Sequence, residues 1–358
     1  MSAASAPPPN GCGQPSFVSP ATRVLALDSP FRLESGDVLP RVEVAYRTWG
    51  RLSPAGNNAV LVCHALTGSA DVDAWWGALL GPGKALDTER DFVVCSNVLG
   101  GCYGTTGPGS GGAEAHGAPF PAITIRDMVR LQARLLDALG VARLALVIGG
   151  SLGGMQALEW VASLPDRVSS AVAIATSGRH SPWCIALSEA QRRAIALDPA
   201  HGLAAARAIA MISYRSPESF GARFGRDERR PGEFAVASWL RHHGEELVRR
   251  FDPRSYVTLT RAMDAHDLAR GRGRYEEVLG AIDHPTLVIA IRSDVLYPPA
   301  EQRELARLLP RAELAELDSP HGHDAFLIDG DAVNDLVAAF RGRNRRKHEH
   351  RPRPLRRH

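Results

Sequence analysis

Three residues spread through this 358-residue chain could together carry out covalent acyl chemistry: Ser151, Asp294 and His323. Ser151 stands in Gly149-Gly150-Ser151-Leu152-Gly153, a G-x-S-x-G pentapeptide that follows the apolar run Leu144–Ile148 and precedes a helix candidate beginning near Met155. That context, strand then sharp turn then helix, is the one in which such a serine becomes an exposed nucleophile. Glycines two residues to either side leave room for the turn, and the Leu152 N–H at the helix start then faces any oxyanion formed at Ser151. The competing reading is a glycine-rich turn with an incidental serine.

A serine hydroxyl needs a base to take its proton and an acid to orient that base. In this kind of site the acid and then the histidine follow the serine along the chain. Asp294 comes just after the strand-like run Thr286–Ile291, and Pro320-His321-Gly322-His323-Asp324 forms the loop after Ala312–Leu317. His323 is preferred as the base because Gly322 permits a close approach, with His321 as the alternative. Asp294 could instead cap a helix near Pro298 and Pro299. A metal reading of His321 and His323 lacks further ligands at fitting spacing, so no metal is expected. The second oxyanion donor is expected at the Leu66 N–H, in the loop His64–Gly68 that follows Val60–His64.

These residues need a scaffold that gathers them at one edge. Apolar runs of strand length recur at 60–64, 92–95, 144–148, 168–175, 286–291 and 312–317. Helical patterns separate several of them, at 125–139, 155–164 and 331–340. The alternation predicts a mostly parallel sheet flanked by helices, and with the elbow it predicts an α/β-hydrolase fold. The pattern breaks between about 179 and 281, where helical segments at 185–196, 202–214, 233–251 and 255–263 occur with no convincing strand. The expected organisation is a disordered leader at 1–14, a core at 15–178 and 281–340, a helical lid insertion at 179–280, and a basic disordered tail at 341–358.

Composition narrows the function classes. The chain is 44% hydrophobic and 23% charged, ordinary for a globular protein, and lacks an apolar run long enough for a membrane span. Its N-terminus lacks the pattern of a secretory signal. Five cysteines at irregular spacing read as free thiols and suit a cytoplasmic location. The net charge of +3 hides an asymmetry: residues 341–358 hold nine Lys or Arg and one Glu, a net of +8, which leaves the first 340 residues at about −5. That tail has no aromatic residue for base stacking, so nucleic acid is not an expected partner. The glycine-rich stretch 100–112 lacks the Gly-Lys-Ser/Thr ending of a phosphate loop.

Several segments together resemble the homoserine O-acetyltransferase family of methionine biosynthesis, from about Ser16 to Phe340. They are Cys63-His64-Ala65-Leu66-Thr67-Gly68, Trp75-Trp76, Gly81-Pro82-Gly83-Lys84, Asp91–Asn97, Gly100–Pro108, the elbow extended through Glu159-Trp160, and Gly322–Leu327. The resemblance implies acetyl transfer from acetyl-CoA, through acyl-Ser151, to the hydroxyl of L-homoserine by a ping-pong route. Acetyl-CoA is then a co-substrate and no cofactor is held permanently. Arg207 and Asp324 match the family positions that hold the acceptor's carboxylate and ammonium. Leu296, where succinyl-using relatives tend to carry arginine, favours an acetyl donor. The resemblance also implies a homodimer formed through the lid. The segment Leu197–Leu203 is shorter than usual in the family, which keeps L-serine open as acceptor. Homoserine or serine O-succinyl transfer and plain serine-ester hydrolysis are the alternatives on the same scaffold.

Overall fold

A computed structural model describes residues 18–110, 119–198 and 200–349. The leader expected at 1–14 lies outside them. Eight strands form one sheet: β1 (Arg23–Ala26), β2 (Glu43–Trp49), β3 (Ala59–Cys63), β4 (Phe92–Ser96), β5 (Leu144–Gly150), β6 (Ala171–Ile174), β7 (Thr286–Ile291) and β8 (Ala312–Leu317). Their spatial order is β1-β2-β4-β3-β5-β6-β7-β8. β2 runs antiparallel to both of its neighbours, β1 and β4, and every pairing from β4 onward in that order is parallel.

Parallel strands buried on both faces read as continuous apolar runs, and β3 and β7 are buried at every residue. Within such a run the side chains still alternate. Leu61 and Cys63 enter the core on one face of the sheet while Val60 and Val62 enter the core on the other. The antiparallel pair β1–β2 escaped the sequence reading. β1 is largely exposed at the sheet edge, so nothing forces an apolar pattern on it.

Two helices position the elbow. Helix α1 (Ile125–Ala138) starts with a reciprocal cap between Thr124 and Asp127. Helix α2 (Leu152–Ser163) follows β5 directly and begins three residues before the expected Met155. Between β6 and β7 the chain leaves the sheet and forms α3 (Pro182–Leu197), α4 (Gly202–Tyr214), α5 (Pro217–Phe224), α6 (Ala235–Arg250), α7 (Pro253–Asp264) and α8 (Tyr275–Gly280). Three of these open alike: Ser181, Ser216 and Asp252 each accept first-turn N–H groups, with proline at the first helical position. Helix α4 packs between α3 and α6. The insertion also carries a small hairpin, Glu228–Arg230 against Glu233–Phe234, where no strand was expected. Its residues are mostly charged, so it shows no apolar alternation.

Back in the core come α9 (Pro299–Leu308), α10 (Ala325–Ile328) and α11 (Gly330–Glu349). Helix α11 corrects the tail expected to begin at Arg341, because it continues through Glu349. Arg341 is buried and donates from Nη1 and Nη2 to both carboxylate oxygens of Asp91, at 2.6 and 2.8 Å. A basic sequence looked solvated, but one of its cations is drawn inward by a buried anion. The remaining tail, 350–358, lies outside the described residues.

Candidate active site

The elbow closes at the carboxyl end of β5. Ser151 adopts φ 56°, ψ −125°, in a region costly for a residue with a side chain. The turn is held on both sides, since the Ser151 N–H donates to the Ile174 carbonyl at 2.9 Å and the Thr176 hydroxyl donates to the Ser151 carbonyl at 3.0 Å. The flanking glycines are forced by contact. A Cβ on Gly153 would stand 2.0 Å from the Cys63 carbonyl oxygen, and one on Gly149 would stand 2.4 Å from the Gly153 backbone. No L-side chain fits at either place.

The residues beyond the pentapeptide brace α2. Gln132 donates to Gln156 at 2.7 Å, Trp160 donates to Gln132 at 2.7 Å, and Gln156 donates to the Leu152 carbonyl at 3.2 Å. Glu159, also buried, pairs with Arg272 and with Arg126. The stretch Met155–Trp160 is thus a polar network that fixes the helix behind the serine.

Asp294 is buried and both of its oxygens are occupied. Oδ1 accepts from the N–H groups of Leu296 and Tyr297 at 2.8 and 2.9 Å, and Oδ2 lies 2.7 Å from His323 Nδ1. It is not the cap of α9, whose cap position is Pro298. A carboxylate so held fixes the imidazole tautomer with its proton on Nδ1 and Nε2 free to act as base. His323, not His321, makes this bond. The ring is packed by Tyr297 (centroids 5.3 Å apart, 29°), Tyr214 (5.7 Å) and Phe326 (5.6 Å, edge-on). Phe326 links the histidine loop to the elbow, because a Cβ on Gly150 would meet its ring at 2.7 Å. Gly322 takes φ 68°, and a Cβ there would stand 2.7 Å from the Arg215 backbone. The histidine loop therefore seats against the α4–α5 junction.

The second predicted amide donor, Leu66, lies in a loop whose carbonyls are anchored. The Ala65 carbonyl accepts from His64 Nδ1 at 2.8 Å and from the Gly68 N–H at 2.9 Å. The Thr67 carbonyl accepts from Arg250 Nη1 at 2.8 Å. His64 Nε2 accepts from the Val98 N–H at 3.1 Å, so this ring is neutral with its proton on Nδ1. Burial pushes its pKa down to about 4. Leu152, the other predicted donor, is the first residue of α2, where a helix N–H has no carbonyl one turn back to bond.

Charged groups from the insertion stand beside this centre. Asp324 adjoins His323 in sequence, and Arg215 Nε approaches its Oδ2 at 3.3 Å. Burial raises the Asp324 pKa, while Arg215, His323 and Arg207 pull it back down. The Arg207 guanidinium lies 5.3 Å from the Tyr214 ring centroid, and its Nη1 is buried without a hydrogen-bond partner among the described residues. The structure thus gathers Arg207, Tyr214, Arg215 and Asp324 next to His323. Leu296 is buried beside the acid. Arg292, which could have supplied a cation near it, turns outward to Glu316 and Asp318.

Tyr214, Arg215, Arg250 and Tyr297 were not singled out from sequence. Their only local signal is position: Tyr214-Arg215 precedes the Ser216-Pro217 helix start, and Tyr297 precedes Pro298.

Comparison with known proteins agrees with the fold. A model of the alpha/beta hydrolase fold matches residues 58–329. A homoserine O-acetyltransferase of Trichormus variabilis is 57% identical over 342 residues, which is 91% of this chain and 95% of the relative. Among solved structures, a homoserine O-acetyltransferase from Bacillus anthracis superimposes with a TM-score of 0.81 at 25% identity, covering 89% of this chain and 97% of that one. An esterase superimposes with a TM-score of 0.82 at 26% identity, covering 89% and 99%.

Proposed function

The chain belongs to the homoserine O-acetyltransferase family within the α/β hydrolases, and from this we propose that it transfers an acetyl group from acetyl-CoA to the side-chain hydroxyl of L-homoserine. It is an O-acyltransferase of methionine biosynthesis. His323 Nε2 takes the Ser151 proton as the hydroxyl attacks the thioester carbonyl, and the amides of Leu66 and Leu152 hold the oxyanion. Coenzyme A leaves as the thiol, protonated by His323. Homoserine then gives its hydroxyl proton to His323 and attacks the acetyl-serine, which releases O-acetylhomoserine and returns the proton to Ser151. Asp294 holds the imidazole upright and balances its charge in both halves.

The observation that carries the transfer reading is the pair of opposite charges beside His323. A zwitterionic acceptor needs a cation for its carboxylate and an anion for its ammonium. Arg207, with a buried donor that has no partner among the described residues, and Asp324, a mostly buried carboxyl, offer these. Apolar Leu296, with Arg292 directed to surface acids, supports an acetyl over a succinyl donor. No cofactor is needed beyond the acyl-CoA co-substrate. A homodimer through the insertion is part of the proposal, supported by exposed apolar side chains at Trp183, Leu197 and Ile212. So is a cytoplasmic location, supported by four unpaired cysteines among the described residues. No helix among those residues is long and apolar enough to cross a membrane.

The test is a matrix of acetyl-CoA and succinyl-CoA against L-homoserine and L-serine, read by product mass. O-acetylhomoserine as the dominant product is expected. Thiol release that ignores the acceptor would favour the esterase reading instead.

A further inference from the structure

Arg215 follows the last residue of α4, at the point where the insertion meets the histidine loop. The contact there is backbone against backbone, since Gly322 approaches Arg215 and Ser216 too closely for any side chain. The Ser216 hydroxyl reinforces it by donating to the Pro320 carbonyl. The Arg215 side chain is thereby held beside Asp324, with Nε 3.3 Å from Oδ2 and both side chains less than a fifth exposed, at 17% and 18%. Nε makes no aligned hydrogen bond among the described residues. The attraction is therefore mainly Coulombic, and it operates where solvent screening is weak.

We propose that Arg215 is a positioning residue for acceptor binding: it holds Asp324 as a carboxylate at Oδ2, so that Oδ1 is the oxygen left for the ammonium of the incoming amino acid. The inference rests on the reading of Asp324 as the ammonium site. A buried carboxyl group left to itself takes up a proton and can no longer bind a cation. The groups facing Asp324 are Arg215 and Arg207 from α4 and its C-terminal cap, His323 from its own loop, and Asp294 from the acid loop. Arg215 is the strongest of the three that favour ionisation, and Asp294 opposes them. Arg207, whose Nη1 has no partner among the described residues, is better placed for the acceptor's carboxylate. Two arginines one helical stretch apart therefore do different work, one on the substrate and one on the residue that meets it.

The two half-reactions separate this role from a structural one. In the full-length enzyme, first-turnover thiol release from acetyl-CoA reports acylation of Ser151, and steady-state turnover at varied homoserine reports acceptor capture. Arg215→Gln is expected to raise the homoserine KM about tenfold or more while slowing acylation far less. Its homoserine kcat/KM should also begin to fall at a higher pH than in the parent, because Asp324 has lost its main neutralising cation. Arg215→Lys keeps the charge without the planar fork and should recover part of the loss. Asp324→Asn distinguishes the two readings. If Asp324→Asn raises the homoserine KM and Arg215→Gln does not, the role of Arg215 is refuted and that of Asp324 stands. If neither variant moves it, the ammonium site itself is misassigned. Equal losses in both half-reactions for Arg215→Gln, with no rescue by lysine, would also overturn the proposal.

Discussion

His64 shows how a single buried ring can brace a loop without carrying charge. Its Nδ1–H closes onto Ala65 and its Nε2 receives Val98, so protonation would abolish the second contact. The folded protein keeps this ring neutral down to about pH 4, whereas an unfolded chain protonates it near its ordinary value of 6.5. Between those limits the unfolded state binds the extra proton, so stability falls as the pH drops from about 6.5 towards 4 and is fully present above that window. The His64 share is up to about 3 kcal/mol. His266, depressed to about 3, and His243, to about 4, act in the same direction. Thermal melts across pH 4–7 should show the decline, and His64→Gln should flatten its slope. A slope identical to the parent's would mean that His64 is not held neutral.

At the scale of elements, the proposed nucleophile, acid and base, Ser151, Asp294 and His323, follow β5, β7 and β8, while the insertion secures the loops between them. Arg250, at the end of α6, reaches across to the Thr67 carbonyl and to the Tyr103 hydroxyl, and so ties the insertion to the loop that carries Leu66. With its carbonyls at 65 and 67 engaged, that loop is held in place, and with it the proposed donor Leu66. Arg250→Ala should therefore lower the rates of both half-reactions by a similar factor, on the order of 10-fold to 100-fold, less than outright loss of an oxyanion donor. The homoserine KM should change little. Single-turnover acylation and deacylation rates measure this, and an effect confined to one half-reaction would contradict it. The contrast with Arg215, whose loss should fall on acceptor capture, separates two contacts made by the same insertion.

Across the whole molecule, the sheet is bound to the C-terminal helix by a buried ion pair. Asp91 precedes β4, and Arg341 lies late in α11, 250 residues away in sequence. Breaking a buried pair from one side leaves the other charge without compensation, a loss of about 3–5 kcal/mol. Arg341→Met should thus lower the melting temperature clearly, although Arg345, 3.4 Å from Asp91 and 44% exposed, supplies some relief. Asp91→Asn combined with Arg341→Met should recover part of the loss. Calorimetry decides: an unchanged melting temperature for Arg341→Met would mean that the pair contributes nothing net.

Sequence alone determined the features whose causes are local. The Gly149–Gly153 turn and the fully buried strands follow from backbone sterics and apolar periodicity, which short stretches of chain record, and the order of Ser151, Asp294 and His323 is read directly along the chain. The choice between His321 and His323 was decided only by folding, which brings one of them to Asp294 across 29 residues. The same holds for β1, whose exposed edge demands no pattern, and for Arg341, which looked like part of a solvated tail until an anion from the far end of the sheet met it. Neither Arg215 nor Arg250 carries a sequence signal that names its partner. Their partners lie 109 and 183 residues distant, and an ion pair or hydrogen bond made across such a distance leaves no periodicity for the chain to display.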